Sequence, residues 1–454
     1  MKMLHAVLLA GLALGATVPA AAQEVKAITG ATVIGGAGAP IPDAVIIIEG
    51  TRIARVGPRT TTTVPANATV IDARGKFVIP GLADMHNHLE DGSFSFQQNV
   101  KANLPVLLAY GVTTVLDPSV SLKDFAEVKA IASADAAPAP RFFGTGPMIT
   151  VKGDTLGAAG GGPTPETAAD ARAAVTRLKS ASVDAIKVSR DDLTWASTRR
   201  VALMSLDVLN ALVDEAHRQG LKVYAHAPLL DQAKEFLRAG GDGLMHGILD
   251  KPIDQEFIDL MLRNRAVYVP TLAMFEDVGD VKAWTARQAT HAEGSALAPL
   301  ADSVKGPDFS RLFLSFLDNT EFTRSHLVTL RSNLKRVFDA SIPVVMGTDS
   351  GFFGVVMGAS SQMELAMMVE AGLTPENALR AATINAARMI GREKEAGSVE
   401  AGKLADLVIL DANPLDDIHN VRRIFRVVKA GTVFDPAQLL STFRFSAPPT
   451  RPTN

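Results

Sequence analysis

The sequence predicts an α/β fold: a (β/α)8 (TIM) barrel with a small β-sandwich domain formed from both termini. The first observation is length, since 454 residues suit one large barrel and one smaller domain. The second is the middle of the chain, where short apolar runs alternate with helical patterns, as in a parallel sheet. The third is that both ends are rich in strand patterns, which indicates a β domain made of residues 23–80 plus 399–442.

The first 22 residues are typical of a secretory signal peptide. Lys2 supplies positive charge, an apolar run extends from residue 6 to 18, and alanines at 20–22 form a small-residue cleavage site. The apolar run is short for a membrane span. We therefore expect a cleaved signal peptide over residues 1–22, a periplasmic or secreted location, and no membrane span in the mature chain.

The strand patterns near the two ends resemble each other. They cover 44–50, 52–57, 70–75, 76–80, 405–410 and 426–433. The stretches 70–75 and 76–80 are predicted to pair as a hairpin. We interpret the two ends as one shared sandwich, followed by a C-terminal tail at 443–454. The alternative is two unrelated β appendages.

Eight apolar runs in the middle of the chain predict barrel strands, and eight strands favour a closed barrel over an open sheet. They end near Asp84–His88, Asp117, Gly144, Lys187, His226, His246, Thr271 and Asp349. Between them, Ser205 is predicted to cap a helix that runs to about Gln219. Another helix should begin after Thr374, with Pro375 in its first turn, and run to about Ile390.

One connection within the barrel domain, residues 81–398, is much longer than the others. A helical insertion is predicted at about 273–341. The simpler interpretation is a helical pair packed on the barrel. The alternative is that part of it, residues 274–306, forms a lid, because loops that follow barrel strands commonly carry substrate contacts.

Composition excludes several classes of protein. A formal net charge of −3 argues against a nucleic-acid-binding surface. The chain has no cysteine, so it forms no disulfide and carries no lipid on cysteine. With 47% hydrophobic residues it can bury a sizeable core, which is consistent with a globular enzyme.

His86 and His88 follow the first predicted barrel strand. Residues two apart on a strand point in the same direction, so these two imidazoles can bind one metal ion. The alternative is a pair of surface histidines in a loop. His226 and His246 each end an apolar run on successive strands. A lone histidine in such a place is usually a core residue, but two together indicate ligands for Zn²⁺ or a similar cation.

Lys187 and Asp349 complete the candidate site. A lysine inside an apolar strand is costly unless its charge is paired or altered. Once carboxylated by CO₂, its carbamate oxygens could bridge two cations; otherwise the side chain extends from a strand end to solvent. Asp349 ends the eighth strand, which neighbours the first in a closed barrel, and a carboxylate there could both bind metal and transfer a proton. It could instead cap a helix.

Three motifs carry a resemblance to a known family. Residues 79–88 end in the two histidines, Gly347-Thr348-Asp349-Ser350 surround the aspartate, and the stretch 374–408 is the most characteristic. Together they resemble the amidohydrolase superfamily, in the branch of imidazolonepropionases and Xaa-Pro or Xaa-Arg dipeptidases. The resemblance covers nearly the whole mature chain.

The resemblance implies two divalent metal ions, Zn²⁺ being expected, and a small-molecule substrate bound by a homo-oligomer. His86, His88 and Asp349 would hold the more buried ion, and His226 and His246 the more exposed one. Lys187, as N6-carboxylysine, would bridge both. A hydroxide between the ions would attack the substrate carbonyl, and Asp349 would transfer its proton to the leaving amine.

The chain departs from close dipeptidase relatives beside the site. Those relatives carry a Ser-Gly-Gly-type turn after the bridging lysine, where this chain has Ser189-Arg190-Asp191-Asp192. Arg190 could pair with a substrate carboxylate or could be a surface arginine. Tyr268 could contact the reacting carbonyl or could pack in the core.

The resulting hypothesis is a binuclear metal-dependent hydrolase that cleaves an amide bond of a dipeptide-like or N-acyl amino acid substrate. A lactone, carbamate or other ester hydrolase of the same superfamily is the first alternative. A mononuclear deaminase is the second, although the glutamate expected after His226 is absent. An exported binding protein on an inactive scaffold is the third.

Overall fold

A computed structural model describes residues 24–36, 38–89, 100–154, 161–196, 200–292, 324–351 and 355–441. The predicted signal peptide at 1–22 and the tail at 443–454 lie outside the described residues, and the insertion predicted at 273–341 is described only at its two ends. No helix among the described residues is long and apolar enough to cross a membrane.

The described strands fall into a terminal group and a central group. The strands are β1 Val25–Val33, β2 Ile41–Glu49, β3 Arg52–Pro58, β4 Thr69–Asp72, β5 Phe77–Pro80, β6 Leu82–Asp84, β7 Val112–Asp117, β8 Arg141–Gly144, β9 Ile186–Ser189, β10 Val223–His226, β11 Gly243–Met245, β12 Val267–Val269, β13 Leu407–Leu410, β14 Ile424–Lys429 and β15 Thr432–Phe434.

Helices occupy most of the connections. They are α1 Val100–Ala109, α2 Leu122–Ala132, α3 Ala168–Ser180, α4 Leu206–Arg218, α5 Leu230–Arg238, α6 Gln255–Asn264, α7 Leu272–Gly279, α8 Val281–Ala292, α9 Arg324–Asp339, α10 Ala359–Glu370, α11 Pro375–Ala381, α12 Ile384–Met389 and α13 Pro436–Ser441, with a 3₁₀ helix at Ile418–Arg422.

Strands from both ends of the chain form one eight-stranded sheet. Its order is β15-β14-β13-β5-β1-β2-β3, with β4 also paired to β1. The two ends meet where β5 pairs antiparallel with β13, with Leu407 opposite Pro80. The hairpin predicted for 70–75 and 76–80 is wrong: β4 and β5 both pair in parallel with β1, one after the other along its length. Both strands therefore pair with the long β1 and not with each other.

The central strands form two parallel sheets, β6-β7-β8 and β9-β10-β11-β12. The predicted eighth strand, 343–349, is not a continuous strand. It contributes a parallel bridge between Val344 and Tyr268 on β12, and Ser350 makes another with Asn87. A further parallel bridge joins Ile149 to Val188 on β9. The chain is thus α/β with mixed sheets, and within each central sheet the strands are parallel, so their carboxyl ends lie at one edge of that sheet.

Side chains alternate between two apolar clusters along the central strands, as the two-residue period of a strand requires. One cluster lies between strands and includes Met85, Tyr224, Met245 and Val269. The other lies between strands and helices and includes Tyr268. Lys187 alternates along β9 with Ile186 and Val188 of this second cluster, so it lies on the opposite face of the chain, as does Ala185 of the first cluster just before β9.

The helix predictions are confirmed at α4 and corrected near residue 382. Ser205 caps α4 by accepting from Val208 N. The helix predicted from Thr374 to about Ile390 is instead two helices, α11 and α12, which are interrupted at 382–383. Thr383 has the non-helical dihedrals φ −132° and ψ −94°, and the Ala382 carbonyl next to it accepts from Ala83 N on β6 at 2.7 Å.

Candidate metal centre

His86, His88 and Asp349 meet just beyond the end of β6. Asp349 Oδ1 lies 3.2 Å from His86 Nε2 and 2.7 Å from His88 Nε2. Backbone bonds hold the two segments together, since Asp349 N donates to the His86 carbonyl at 2.7 Å and His88 N donates to the Ser350 carbonyl at 2.7 Å. These three side chains are called the carboxylate cluster below.

His226 and His246, called the histidine pair below, lie beside this cluster at the ends of β10 and β11. Their ring centroids are 4.4 Å apart, and the His246 ring is 4.8 Å from that of His86. One ligand atom each from His86, His246 and Asp349 lies within 4.8 Å of the others, and all three residues are buried. The five predicted histidine and aspartate ligands therefore form one continuous group.

Lys187 is buried near the same group, with 3% of its surface exposed. Burial lowers the pKa of its amine to about 7, although Asp349 and Asp117 act in the opposite direction. Within the described residues, its Nζ has no hydrogen bond or ion pair. A substantial fraction of this amine is therefore neutral near pH 7, and a neutral amine is the form that reacts with CO₂.

The histidines differ in their protonation. Burial, followed by the charge of Lys187, holds the pKa of His86 well below its usual value, and burial followed by His226 does the same for His246. Burial also acts to lower the pKa of His88, but its hydrogen bond to Asp349 and the charges of Asp349 and Asp117 together outweigh this and raise the pKa. Neutral imidazoles are the form that binds metal.

The histidine pair is oriented from outside the strands. His226 Nε2 is 2.9 Å from Asp191 Oδ2, and His246 Nδ1 is 2.8 Å from Thr271 Oγ1. A metal-binding histidine usually donates its second ring nitrogen to a carboxyl, carbonyl or hydroxyl oxygen in this way. The nitrogens left for a ligand are therefore Nδ1 of His226 and Nε2 of His246.

Thr271 adopts a backbone conformation that is costly for a β-branched residue, with a φ of 49°. It occupies the position before α7 where a threonine normally caps the helix, yet its side chain makes no capping bond. Glu364 of α10 takes that role and accepts from Leu272 N at 2.9 Å and Ala273 N at 2.7 Å. The Thr271 hydroxyl is thereby free to bond His246.

Two buried carboxyl groups beneath the carboxylate cluster were not predicted as site residues. Asp84 accepts from Thr348 Oγ1 and Ser361 Oγ, both at 2.8 Å, and Asp117 Oδ1 is 3.9 Å from His88 Nδ1. Burial raises the pKa of both carboxyl groups. The sequence marks Asp84 and Asp117 as polar residues at strand ends, which is the signal that could have identified them.

Arg190 and Tyr268 already have partners within the protein. The Arg190 guanidinium is buried, bonds the Met204 carbonyl, and lies 3.1 Å from Glu235 Oε2. The Tyr268 hydroxyl accepts from Ile248 N at 2.7 Å, and its ring lies in the cluster between strands and helices. Neither side chain is thus directed at the six predicted ligands, and their roles towards substrate stay predictions.

The donor set fits a divalent metal. Imidazole and carboxylate donors suit Zn²⁺ and similar cations. His86 Nδ1 is also buried without a hydrogen-bond partner in the described part of the chain. Buried neutral imidazoles that lie against one another offer each other few hydrogen bonds. A cation bound between these rings and the Asp349 carboxylate would give their free lone pairs a favourable partner.

Comparison with known proteins identifies related sequences and folds. The model of the amidohydrolase family matches residues 77–434. An imidazolonepropionase of Streptomyces avermitilis is 27% identical over 382 residues, which are 82% of this chain and 81% of that protein. A stretch of 119 residues is 38% identical to an imidazolonepropionase of Shouchella clausii but covers only 24% of this chain and 26% of that relative.

Solved structures share the fold over almost the whole chain. A Bifidobacterium longum protein provisionally classed as a prolidase is 28% identical, with a TM-score of 0.74. The match covers 91% of this chain and 95% of that one. A Xaa-Pro dipeptidase, at 24% identity and a TM-score of 0.72, supports the fold alone.

Proposed function

The chain belongs to the amidohydrolase family of metal-dependent hydrolases of carbon–nitrogen bonds, and from this premise we propose a narrower activity. We propose that two divalent ions, Zn²⁺ in the native enzyme, serve to cleave an amide bond of a dipeptide-like or N-acyl amino acid substrate. The observation that carries the proposal is the convergence of the carboxylate cluster, the histidine pair and the buried Lys187 at one site.

The ligands divide between the two ions. His86, His88 and Asp349 would hold one ion, and the histidine pair would hold the other. Lys187, carboxylated on its neutral amine, would contact both. When bound, the ions would polarise the substrate carbonyl and make water a nucleophile near neutral pH.

Asp349 would move the proton of the reaction. Its Oδ1 lies within hydrogen-bond distance of His88 Nε2, so this contact fixes one of the two carboxylate oxygens. We propose that Asp349 accepts the proton of the attacking water and returns it to the leaving amine nitrogen. Burial of the residue excludes bulk water from this transfer.

We further propose that the two parallel sheets close into one (β/α)8 barrel. The support is that short bridges join the sheet edges, and the family's solved relatives match over most of the chain. The bridging pairs are Ile149 with Val188, Tyr268 with Val344, and Asn87 with Ser350. In such a barrel the segment carrying Asp349 would lie between β12 and β6, and its backbone bonds to residues 85–88 agree with this place. Export through the signal peptide and homo-oligomer formation stay predictions.

Metal analysis tests the two-ion proposal. The mature protein, stripped by chelator and reloaded with Zn²⁺ and bicarbonate, should bind two equivalents, as counted by elemental analysis after dialysis. One equivalent at saturation would instead favour the mononuclear deaminase. Activity should return in parallel with the second equivalent.

A substrate screen tests the bond. The Zn²⁺-loaded enzyme is assayed on matched panels of dipeptides, N-acyl amino acids, lactones and carbamates, and kcat/KM is compared. We expect the amide panels to give the highest values. Lactone turnover faster by orders of magnitude would replace the amide proposal with the ester alternative.

A further inference from the structure

The loop after β9 departs from dipeptidase relatives, and Asp191 within it is 3% exposed. Its two carboxyl oxygens accept three hydrogen bonds. Oδ2 lies 2.7 Å from Trp195 Nε1 and 2.9 Å from His226 Nε2, and Oδ1 lies 2.9 Å from Leu193 N. Among the described residues these three partners are all nitrogens, and two of the three can only donate.

This arrangement fixes the tautomer of His226. A carboxylate offers acceptors and no donor, so the ring nitrogen that faces it carries the hydrogen. His226 Nε2 is then the N–H, and Nδ1 keeps its lone pair. An imidazole that binds a metal through Nδ1 needs this tautomer.

Contacts around Asp191 hold this part of the loop in place. Leu193 has a φ of 59°, an unusual conformation that the bond to Asp191 Oδ1 supports. The Trp195 ring meets Phe275 edge-on at 5.7 Å, and Phe275 meets His246 at 5.5 Å. One packed chain of side chains therefore links Asp191 to both members of the histidine pair.

We propose that Asp191 is a positioning residue that holds His226 in the tautomer and orientation needed to bind the second metal ion, with Trp195 holding Asp191 in turn. The inference rests on the proposed two-metal function and extends it to a residue of the divergent loop. It assigns the loop a role in metal affinity rather than in binding substrate. The described contacts of Asp191 include His226 of the histidine pair and not the carboxylate cluster, so its loss should act mainly on the ion that the histidine pair would hold.

The test measures the affinity of each metal equivalent in Asp191→Ala and Asp191→Asn. Zn²⁺ binding is followed by competition with a chelator of known affinity, and folding by the thermal midpoint of the metal-free proteins. Asp192→Asn is the matched control, because Asp192 lies in the same loop and, among the described residues, its carboxylate accepts hydrogen bonds from Thr194 and not from a predicted metal ligand. We expect both Asp191 variants to weaken one equivalent by about 10–100-fold, with the other equivalent and the control unchanged.

A purely structural role predicts a different pattern. It would lower the thermal midpoint and weaken both equivalents together, or leave both unchanged, and either result overturns the proposal. If Asp191→Ala fails to fold, the nearly isosteric Asp191→Asn supplies the same comparison.

The tautomer is measured separately by ¹⁵N chemical shifts of the His226 ring in the metal-free protein. We expect a protonated Nε2 and an unprotonated Nδ1 in the wild type, and a mixture of tautomers in Asp191→Ala. A protonated Nδ1 in the wild type would overturn the proposal. If the wild type shows the expected tautomer but binds only one ion, the two-metal function fails while the orienting contact stands.

Discussion

The carboxylate cluster and the histidine pair are held in place by different parts of the fold. His86 and His88 contact Asp349 directly, and backbone bonds between their own segments fix all three. His226 and His246 are instead oriented by Asp191 and Thr271, which lie in connections that follow strands β9 and β12. One half of the site is built from strand ends, and the other depends on loops.

This difference separates the strand ends, which hold the residues proposed to carry the reaction, from the loops, whose sequence can vary. The strand ends sit in a packed core, where a shift of one residue would displace several ligands at once. A connection between a strand and a helix tolerates change more readily. We therefore expect substitutions in the carboxylate cluster to abolish activity and substitutions around the histidine pair to tune metal affinity.

The largest effect should come from Asp349→Asn. The amide cannot accept the proton of the attacking water, and it is a poorer metal ligand. We expect kcat to fall by about 10²–10⁴-fold. Steady-state kinetics on the best substrate of the screen measures it. Asp339→Asn, on the exposed end of α9, is the control. Activity within a few-fold of the wild type would remove Asp349 from the mechanism.

Lys187→Ala breaks the connection between the two halves. Without a carbamate, the ions lose a shared ligand, and kcat should fall by at least about 100-fold, more than the loss of an orienting partner. Small carboxylic acids that enter the vacated space should restore part of the activity. Full activity without them would exclude the bridging role.

The contrast between strand ends and loops also explains which residues of the site could be predicted from the sequence. That the six candidate ligands lie close together was predictable, because each lies in or just after an apolar strand, and the carboxyl ends of parallel strands converge. Asp191 was visible only as a departure from a familiar turn, because its partner His226 lies 35 positions away and nothing local connects them. Glu364 is hidden for the same reason, since it caps a helix that begins 92 positions earlier.

The fold follows this pattern. Strand and helix positions were predicted well where a repeating pattern decides them, as at α4. The break between α11 and α12 was missed because it coincides with a tertiary contact, the bond from Ala83 N of β6 to the Ala382 carbonyl, which the local sequence does not reveal. The eighth strand was predicted as regular, yet the backbone of this segment turns at its last residue, Asp349, whose φ is 62°.

Thr271→Val tests the orienting of His246 by removing the hydroxyl and keeping the shape. Thr271→Ser keeps the hydroxyl and is the matched control. We expect the valine variant to weaken one Zn²⁺ equivalent by about 10-fold, while the serine variant stays near the wild type. Equal affinities in the two variants would show that His246 does not need this bond, and would make the two halves of the site more alike than we infer.

The smallest effect, and a pH-dependent one, is expected for Glu364→Gln. Burial raises the pKa of Glu364 to about 8 from a usual value of 4.5, although its bonds to Leu272 N and Ala273 N act in the opposite direction. A folded-state pKa above the unfolded value means that the folded protein binds the proton more tightly, so stability is lost as the pH rises through this range. Glutamine carries no charge at any pH, but its amide nitrogen only donates, so it cannot replace the second carboxyl oxygen that accepts from a backbone N–H.

We therefore expect Glu364→Gln to be less stable than the wild type by about 1–3 kcal/mol at pH 5. The difference should narrow towards pH 8, because only the wild type then develops a buried charge. Urea unfolding of the metal-free proteins at pH 5, 6.5 and 8 measures both. A difference that stays constant over this range would show that Glu364 keeps one protonation state while it caps α7. In that case Glu364 would stabilise the start of α7, next to Thr271, through its hydrogen bonds alone and not through a change of charge.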